Sequence, residues 1–308
     1  MPCQMFPSLA WDGSLTCADL FSAIKGDPGV LCPNSSVLAH SLPSNSGPLL
    51  PGLLAQRRRA LPGSALPAAP RETLHTVSGL WPAPPHLLLP PGMPWRKEQT
   101  ADLQRVLARV DSDIPLVLVS GNHDVGNTPT PETVAEFQRT WGDDYFSFWL
   151  GGVLFLVLNS QFWYDASRCP ALKQAQDQWL DQQLSVAGQR KCQHAIVFQH
   201  IPLFLRSIDE EDDYFNLTKS VRKEVADKFI RAGVTAVFSG HYHRNAGGTY
   251  QNLDMVVSSA IGCQLGQDTH GLRVVVVTAE KIVHRYYSLD ELSEKGIEDD
   301  LMGLMEEK

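Results

Sequence analysis

Three segments of this chain place a histidine directly after a short apolar run. Pro115-Leu116-Val117-Leu118-Val119 leads into Ser120-Gly121-Asn122-His123-Asp124. His194 to Gln199 leads into His200-Ile201-Pro202, and Val234 to Ser239 leads into Gly240-His241-Tyr242-His243. Neutral imidazole suits first-row transition ions, and an amide oxygen such as that of Asn122 can complete a harder, oxygen-rich sphere. One histidine after a strand is ordinarily a loop residue or a satisfied core residue. A His-x-His pair alone decides little more. The repetition carries the metal reading, together with the glycines before Asn122 and His241, which permit φ > 0 or a close backbone approach. Four histidines and an asparagine delivered to one sheet edge make a candidate metal site.

For these loops to meet, the apolar runs must be strands of one sheet with their carboxyl ends on a shared edge. The pattern supports that arrangement. Trp95 to Val110 has helical spacing, with Leu103, Val106, Leu107 and Val110 on one face. Residues 115–119, 194–199 and 234–239 are short apolar runs of the kind found in buried strands. Thr130 to Trp141 reads as a helix with Thr130 as N-cap. Tyr145 to Leu150 and Val153 to Asn159 flank Gly151-Gly152, a hairpin signal. Helices are expected over Pro170 to Val186, with Leu172, Ala175, Trp179 and Leu184 inward, and over Ser220 to Ala232. Further strands are expected at 255–257, 274–278 and 282–287, followed by an acidic helix or tail over 289–308. Alternating strands and helices predict an α/β layered fold.

Composition divides the chain in two. Sixteen of the 21 prolines fall in residues 1–94, and no acidic residue lies between Asp27 and Glu72. Proline at that density breaks helices and central strands. Residues 1–90 are therefore expected to be disordered or irregular, and 91–308 to be the folded domain. The Arg57-Arg58-Arg59 cluster sits too late, among too many prolines, for a transit peptide. A net charge of −8 argues against nucleic acid as a partner. No apolar stretch is long enough to span a membrane, and no basic-then-apolar leader opens the chain. Six scattered cysteines without a CxxC pair predict reduced thiols and a cytoplasmic location.

The blocks Gly121-Asn122-His123-Asp124, His200 and Gly240-His241-Tyr242-His243 together resemble the calcineurin-like metallophosphoesterases, in which GNH[D/E], a lone His and GHxH line a two-metal centre. The similarity extends from about Pro94 to Lys308 and includes Trp141-Gly142-Asp143-Asp144-Tyr145 and Gln199-His200-Ile201-Pro202. The resemblance implies a sandwich of two mixed β-sheets flanked by helices. It implies divalent cations such as Mn, Fe, Zn or Mg, two per molecule, and a phosphoserine or phosphothreonine protein substrate. It makes Asn122, His200 and His241 ligands of one metal and His243 a ligand of the other. His123 would protonate the leaving oxygen, Asp124 would orient His123, and Arg244 could contact a phosphate oxygen. The same motif would fit a nucleotide phosphodiesterase or an acid phosphatase, because the surrounding loops set the substrate.

Two blocks of that family have no counterpart here: D-x-[H/Q], and G-D-x-x-[H/D/N] with its bridging Asp. Both should precede Gly121, where Asp12, Asp19 and Asp27 stand in contexts that offer no such ligands. The family's N-terminal strands are thus expected to be missing or replaced, as in an alternative or mis-assembled product of a phosphatase gene. One metal would keep three neutral ligands and the other would keep His243 alone. The chain would hold one cation or none, and hydrolysis would be impaired. The rival reading is a non-catalytic protein that binds the partners of a parent phosphatase. The acidic run in Ile208 to Asp213 is either a solvated loop or a lid that steers basic peptides. Phe146, Phe148, Trp149, Phe155 and Phe162 are expected to pack a core, with groove lining as the second possibility.

Overall fold

The computed structural model describes residues 74–76, 92–93, 95–190 and 192–306. The expected irregularity of residues 1–90 falls outside them, apart from a three-residue strand β1 (Leu74–Thr76). A six-stranded mixed sheet holds the order β2-β3-β4-β5-β7-β6. Its strands are β2 (Phe146–Leu150), β3 (Val153–Val157), β4 (Ala195–Phe198), β5 (Val234–Ser239), β6 (Ala246–Tyr250) and β7 (Leu253–Val257). β3, β4, β5 and β7 run parallel, while β2 and β6 pair antiparallel at the two edges. A three-stranded antiparallel sheet places β8 (Gly271–Val277) between β1 and β9 (Ile282–Ser288).

Side-chain alternation decides how these sheets stack. Phe155, Ile196, Phe198, Phe238 and Val256 of the large sheet share one cluster with Val275 and Val277 of the small one, so the sheets pack face to face. The opposite face of the large sheet, through Leu154, Leu156, Val197, Val237 and Met255, meets the helices α5 (Pro170–Arg190) and α6 (Lys219–Ala232). The outer face of β8, through Leu272, Val274 and Val276, packs with residues of the C-terminal helices α7 (Leu289–Lys295) and α8 (Asp299–Glu306). The result is a sandwich of two sheets with helices on both outer faces. No helix among the described residues is long and apolar enough to cross a membrane.

Local expectations mostly hold, and the departures have physical causes. The first helix, α1 (Arg96–Leu107), turns Leu103, Val106 and Leu107 to its half-buried side. Gly151 and Gly152 take φ of 55° and 79°, the left-handed pair that a tight hairpin between β2 and β3 requires. Phe148 stacks on Phe155 at 4.8 Å and Phe155 on Phe198 at 5.9 Å, so these two belong to the core, whereas Trp149, contrary to expectation, is exposed at the sheet edge. In α5, Ala175 faces solvent, contrary to expectation, and Gln176 faces inward. Its side-chain amide accepts from Asn159 N–H at 2.9 Å and donates to Asn159 C=O at 3.2 Å, which satisfies a buried backbone unit.

Residues 115–119 are not a strand. They lack a ladder partner among the described residues, and a strand is defined by its neighbour. Val119 is nonetheless buried and Val117 packs beside it in the cluster between the sheets, so the apolar run still anchors the loop that follows.

Candidate metal centre

The Asn122-His123-Asp124 segment forms a one-turn helix, α2 (Asn122–Val125). Val125 is fully buried in a satellite cluster with Val134, Phe137 and Phe162, from α3 (Pro131–Trp141) and α4 (Gln161–Tyr164). α3 itself is capped by Thr130, whose hydroxyl accepts from Thr133 N–H. The Asp124 carboxylate accepts Gly121 N–H at 2.9 Å and meets Arg96 Nη2 at 3.3 Å, while Arg96 Nη1 donates to His123 C=O at 3.1 Å. These contacts clamp the backbone of the turn that carries His123. Burial pushes the Asp124 carboxyl up, against the opposing pull of the Gly121 N–H and the Arg96 guanidinium.

Gly121 sits at φ −128°, so its role is close approach and not a left-handed turn. A Cβ there would stand 3.0–3.1 Å from three atoms of the His200 ring. The left-handed positions are the histidines themselves, His241 at φ 63° and His243 at φ 54°. Such conformations cost about 1–3 kcal/mol each and persist where surrounding bonds hold them. The bonds here are Ser259 Oγ–H and Leu265 N–H donating to His243 C=O, both at 3.0 Å, and His243 Nδ1 at 2.6 Å from Cys263 C=O. Arg244 lies over the Tyr242 ring at 4.8 Å.

Three donor atoms converge. His200 Nε2 lies 2.9 Å from Asn122 Oδ1 and 3.1 Å from His241 Nδ1. All three residues are buried. Burial pushes His241 down to about 4, reinforced by His243 and His123 nearby and opposed by the Tyr214 carbonyl at its Nε2, so it is a neutral imidazole at physiological pH. His243 is also lowered, first by burial and then by His123 and Arg244. His123, His241 and His243 thus lie within electrostatic reach of one another. Three buried polar atoms one or two positions before the ligands in the chain, Ser120 Oγ, Gln199 Oε1 and Ser239 Oγ, make no hydrogen bond among the described residues.

The donor set fits one cation held by an amide oxygen and two imidazoles. Among the described residues no three His, Cys, Asp or Glu side chains form a ligating group, so the set depends on the Asn122 amide. The Asp124 carboxylate, the nearest in sequence to these donors, is engaged by Gly121 and Arg96. Tyr214 is the site residue that sequence reasoning passed over. Its hydroxyl accepts from Asn122 Nδ2 at 3.1 Å, across 92 positions of chain.

A layered fold with this His/Asn edge is what a metallophosphoesterase presents, and the calcineurin-like phosphoesterase family model matches residues 88–245. The chain belongs to that family, and its domain is a phosphoesterase domain. It is 87% identical over 217 residues to the serine/threonine-protein phosphatase CPPED1 of Bos taurus, covering 70% of this chain and 69% of that protein. Against the Homo sapiens protein of that name the identity is 82% over 219 residues, covering 71% and 70%. Against the Danio rerio protein it is 57% over 242 residues, covering 76% and 78%.

Proposed function

We propose that this chain is a metal-dependent phosphomonoesterase of weak activity, directed at phosphoserine and phosphothreonine in proteins and located in the cytoplasm. The observation that carries the metal part is the convergence of Asn122 Oδ1, His200 Nε2 and His241 Nδ1. The substrate class is supported by the names of the relatives and by nothing in the site itself.

A divalent cation bound there supplies positive charge that neutralises phosphate oxygens and makes water acidic. Asn122, His200 and His241 hold it. His243, held through Nδ1 by the Cys263 carbonyl, would serve a second cation, since among the described residues it does not group with His200 and His241. His123, half-buried on its clamped turn, donates a proton to the departing alcohol oxygen. Asp124 and Arg96 keep that turn in place. Arg244, stacked on Tyr242, is a contact for a phosphate oxygen.

The charge count sets the activity. The resembled family carries a carboxylate between two cations, whereas the three donors brought together among the described residues are neutral. Three neutral donors leave a dication's charge uncompensated in a buried site. That observation favours the second reading, a phosphatase-like surface that binds without turnover.

Hydrolysis of p-nitrophenyl phosphate and of a phosphoserine peptide with Mn²⁺, using His241→Ala as control, separates the two. A low rate above that control supports the enzyme. Equal background rates in both chains leave the binding protein. Metal analysis that finds two tightly held ions per chain would overturn the deficit.

A further inference from the structure

We propose that Tyr214 is a positioning residue that fixes which faces Asn122 and His241 turn toward the cation. The inference rests on the cation reading above. Tyr214 makes two separate contacts to two of the three converging groups. Its hydroxyl oxygen accepts from Asn122 Nδ2 at 3.1 Å. Its backbone carbonyl lies 3.0 Å from His241 Nε2, so that nitrogen carries the proton and donates it. A neutral imidazole with Nε2 protonated has its lone pair on Nδ1, the atom that faces His200. The Asn122 amide has a matching choice. A cation takes the oxygen, and the –NH₂ group must then find an acceptor in a buried position. The Tyr214 hydroxyl is that acceptor.

The loop that carries Tyr214 is built to hold still. Arg222 is fully buried and donates to the carbonyls of Ile208 and Leu217, both at 2.9 Å, and to that of Glu210. The Glu210 carboxylate accepts N–H groups of Leu205, Arg206 and Ser207 and the Asn216 amide. Asp209 pairs with Lys219 and Lys223, and Asp212 with Arg222. Leu217 N–H donates to Pro202 C=O at 3.1 Å, which ties the loop to the segment after His200. Much of the acidic run is therefore an internal clamp. The loop carries Tyr214 to the site, with its ring 5.0 Å from that of His241.

Partners that orient metal ligands typically change affinity by about 10–100-fold when removed. Tyr214→Phe deletes the hydroxyl and keeps the ring and the carbonyl. The test is Mn²⁺ titration of the full chain by calorimetry, with the His241 tautomer followed by ¹⁵N NMR and folding checked by thermal unfolding. The expected result is an affinity loss of about 10-fold, an unchanged Nε2–H signature for His241, and an unchanged unfolding temperature. Equal affinity of the variant and the wild-type chain would overturn the role of Tyr214 and leave the metal reading standing. Absence of Mn²⁺ uptake by the wild-type chain would overturn both. An Nδ1–H tautomer in the wild-type chain would refute the carbonyl contact.

Discussion

Gly121→Ala tests the packing of the site at one carbon atom. The backbone at Gly121 is extended, with φ −128°, so alanine adopts it without strain. The cost comes from His200. The new Cβ would meet its Cγ, Cδ2 and Cε1 at 3.0, 3.1 and 3.1 Å. Ordinary carbon contacts lie at about 3.5–4.0 Å, so the ring must retreat by roughly half an ångström. It has little room, because His200 is 1% exposed and its Nε2 is engaged at 2.9 and 3.1 Å. A retreat stretches both contacts at once. Overpacking of this kind costs about 1–3 kcal/mol. In a domain of this size each kcal/mol lowers the midpoint by about 2–4 °C. Gly188→Ala is the control. A Cβ there meets nothing within 4 Å, and Gly188 lies in the last turn of α5, so alanine should stabilise by no more than about 1 kcal/mol. Thermal unfolding with and without Mn²⁺ reads both variants. The reasoning fails if Gly121→Ala melts with the wild-type chain and keeps its Mn²⁺ affinity.

Two further outcomes follow from charge. Asn122→Asp places an anion where the three donors converge, so the chain without metal should lose stability while Mn²⁺ should raise its melting temperature more than it raises that of the wild-type chain; equal Mn²⁺ shifts would show that charge does not limit binding. Burial, and then the Arg273 guanidinium, hold His284 down to about 4 against 6.5 unfolded, with Asp254 opposing. Below 6.5 the unfolded chain takes up a proton that the folded chain refuses, so this contribution to stability is full above 6.5 and is lost as pH falls toward 4. The slope is at most about 1.4 kcal/mol per pH unit, reduced by solvent screening at this half-buried position. His284→Gln should flatten urea-unfolding stability over that interval, and an unchanged profile would count against it.

The histidine-bearing loops were legible because β4 is buried throughout and β5 at every position but Thr235, so both read as short, largely apolar runs. The 115–119 run is similarly apolar, yet only Val119 is buried and no ladder partner lies among the described residues, so apolar composition by itself does not specify pairing. β6, Ala246–Tyr250, has no such run and owes its form to pairing with β7. Glycine marked the right places for a partly different reason: Gly121 makes room for a ring, while the left-handed backbone falls on His241 and His243. Tyr214 carried no signal, because it follows a charged run that reads as solvated loop and meets Asn122 only through the tertiary fold.

Hydrogen-bond logic links these details to the choice between enzyme and binding protein. His241 donates through Nε2 to the Tyr214 carbonyl, so its Nδ1 is an acceptor. For His200 Nε2 to bond both that nitrogen and the Asn122 oxygen, it must be the donor. One proton then faces two acceptors at the point where a cation would meet three. The two occupants need the same geometry and differ in charge. A proton on a neutral imidazole adds none, whereas a divalent ion would bring two positive charges into a buried site whose three donors among the described residues are neutral. On the proposed cation reading, the fold and the Tyr214 loop would supply the shape of the site, and the charge of its surroundings would set its affinity.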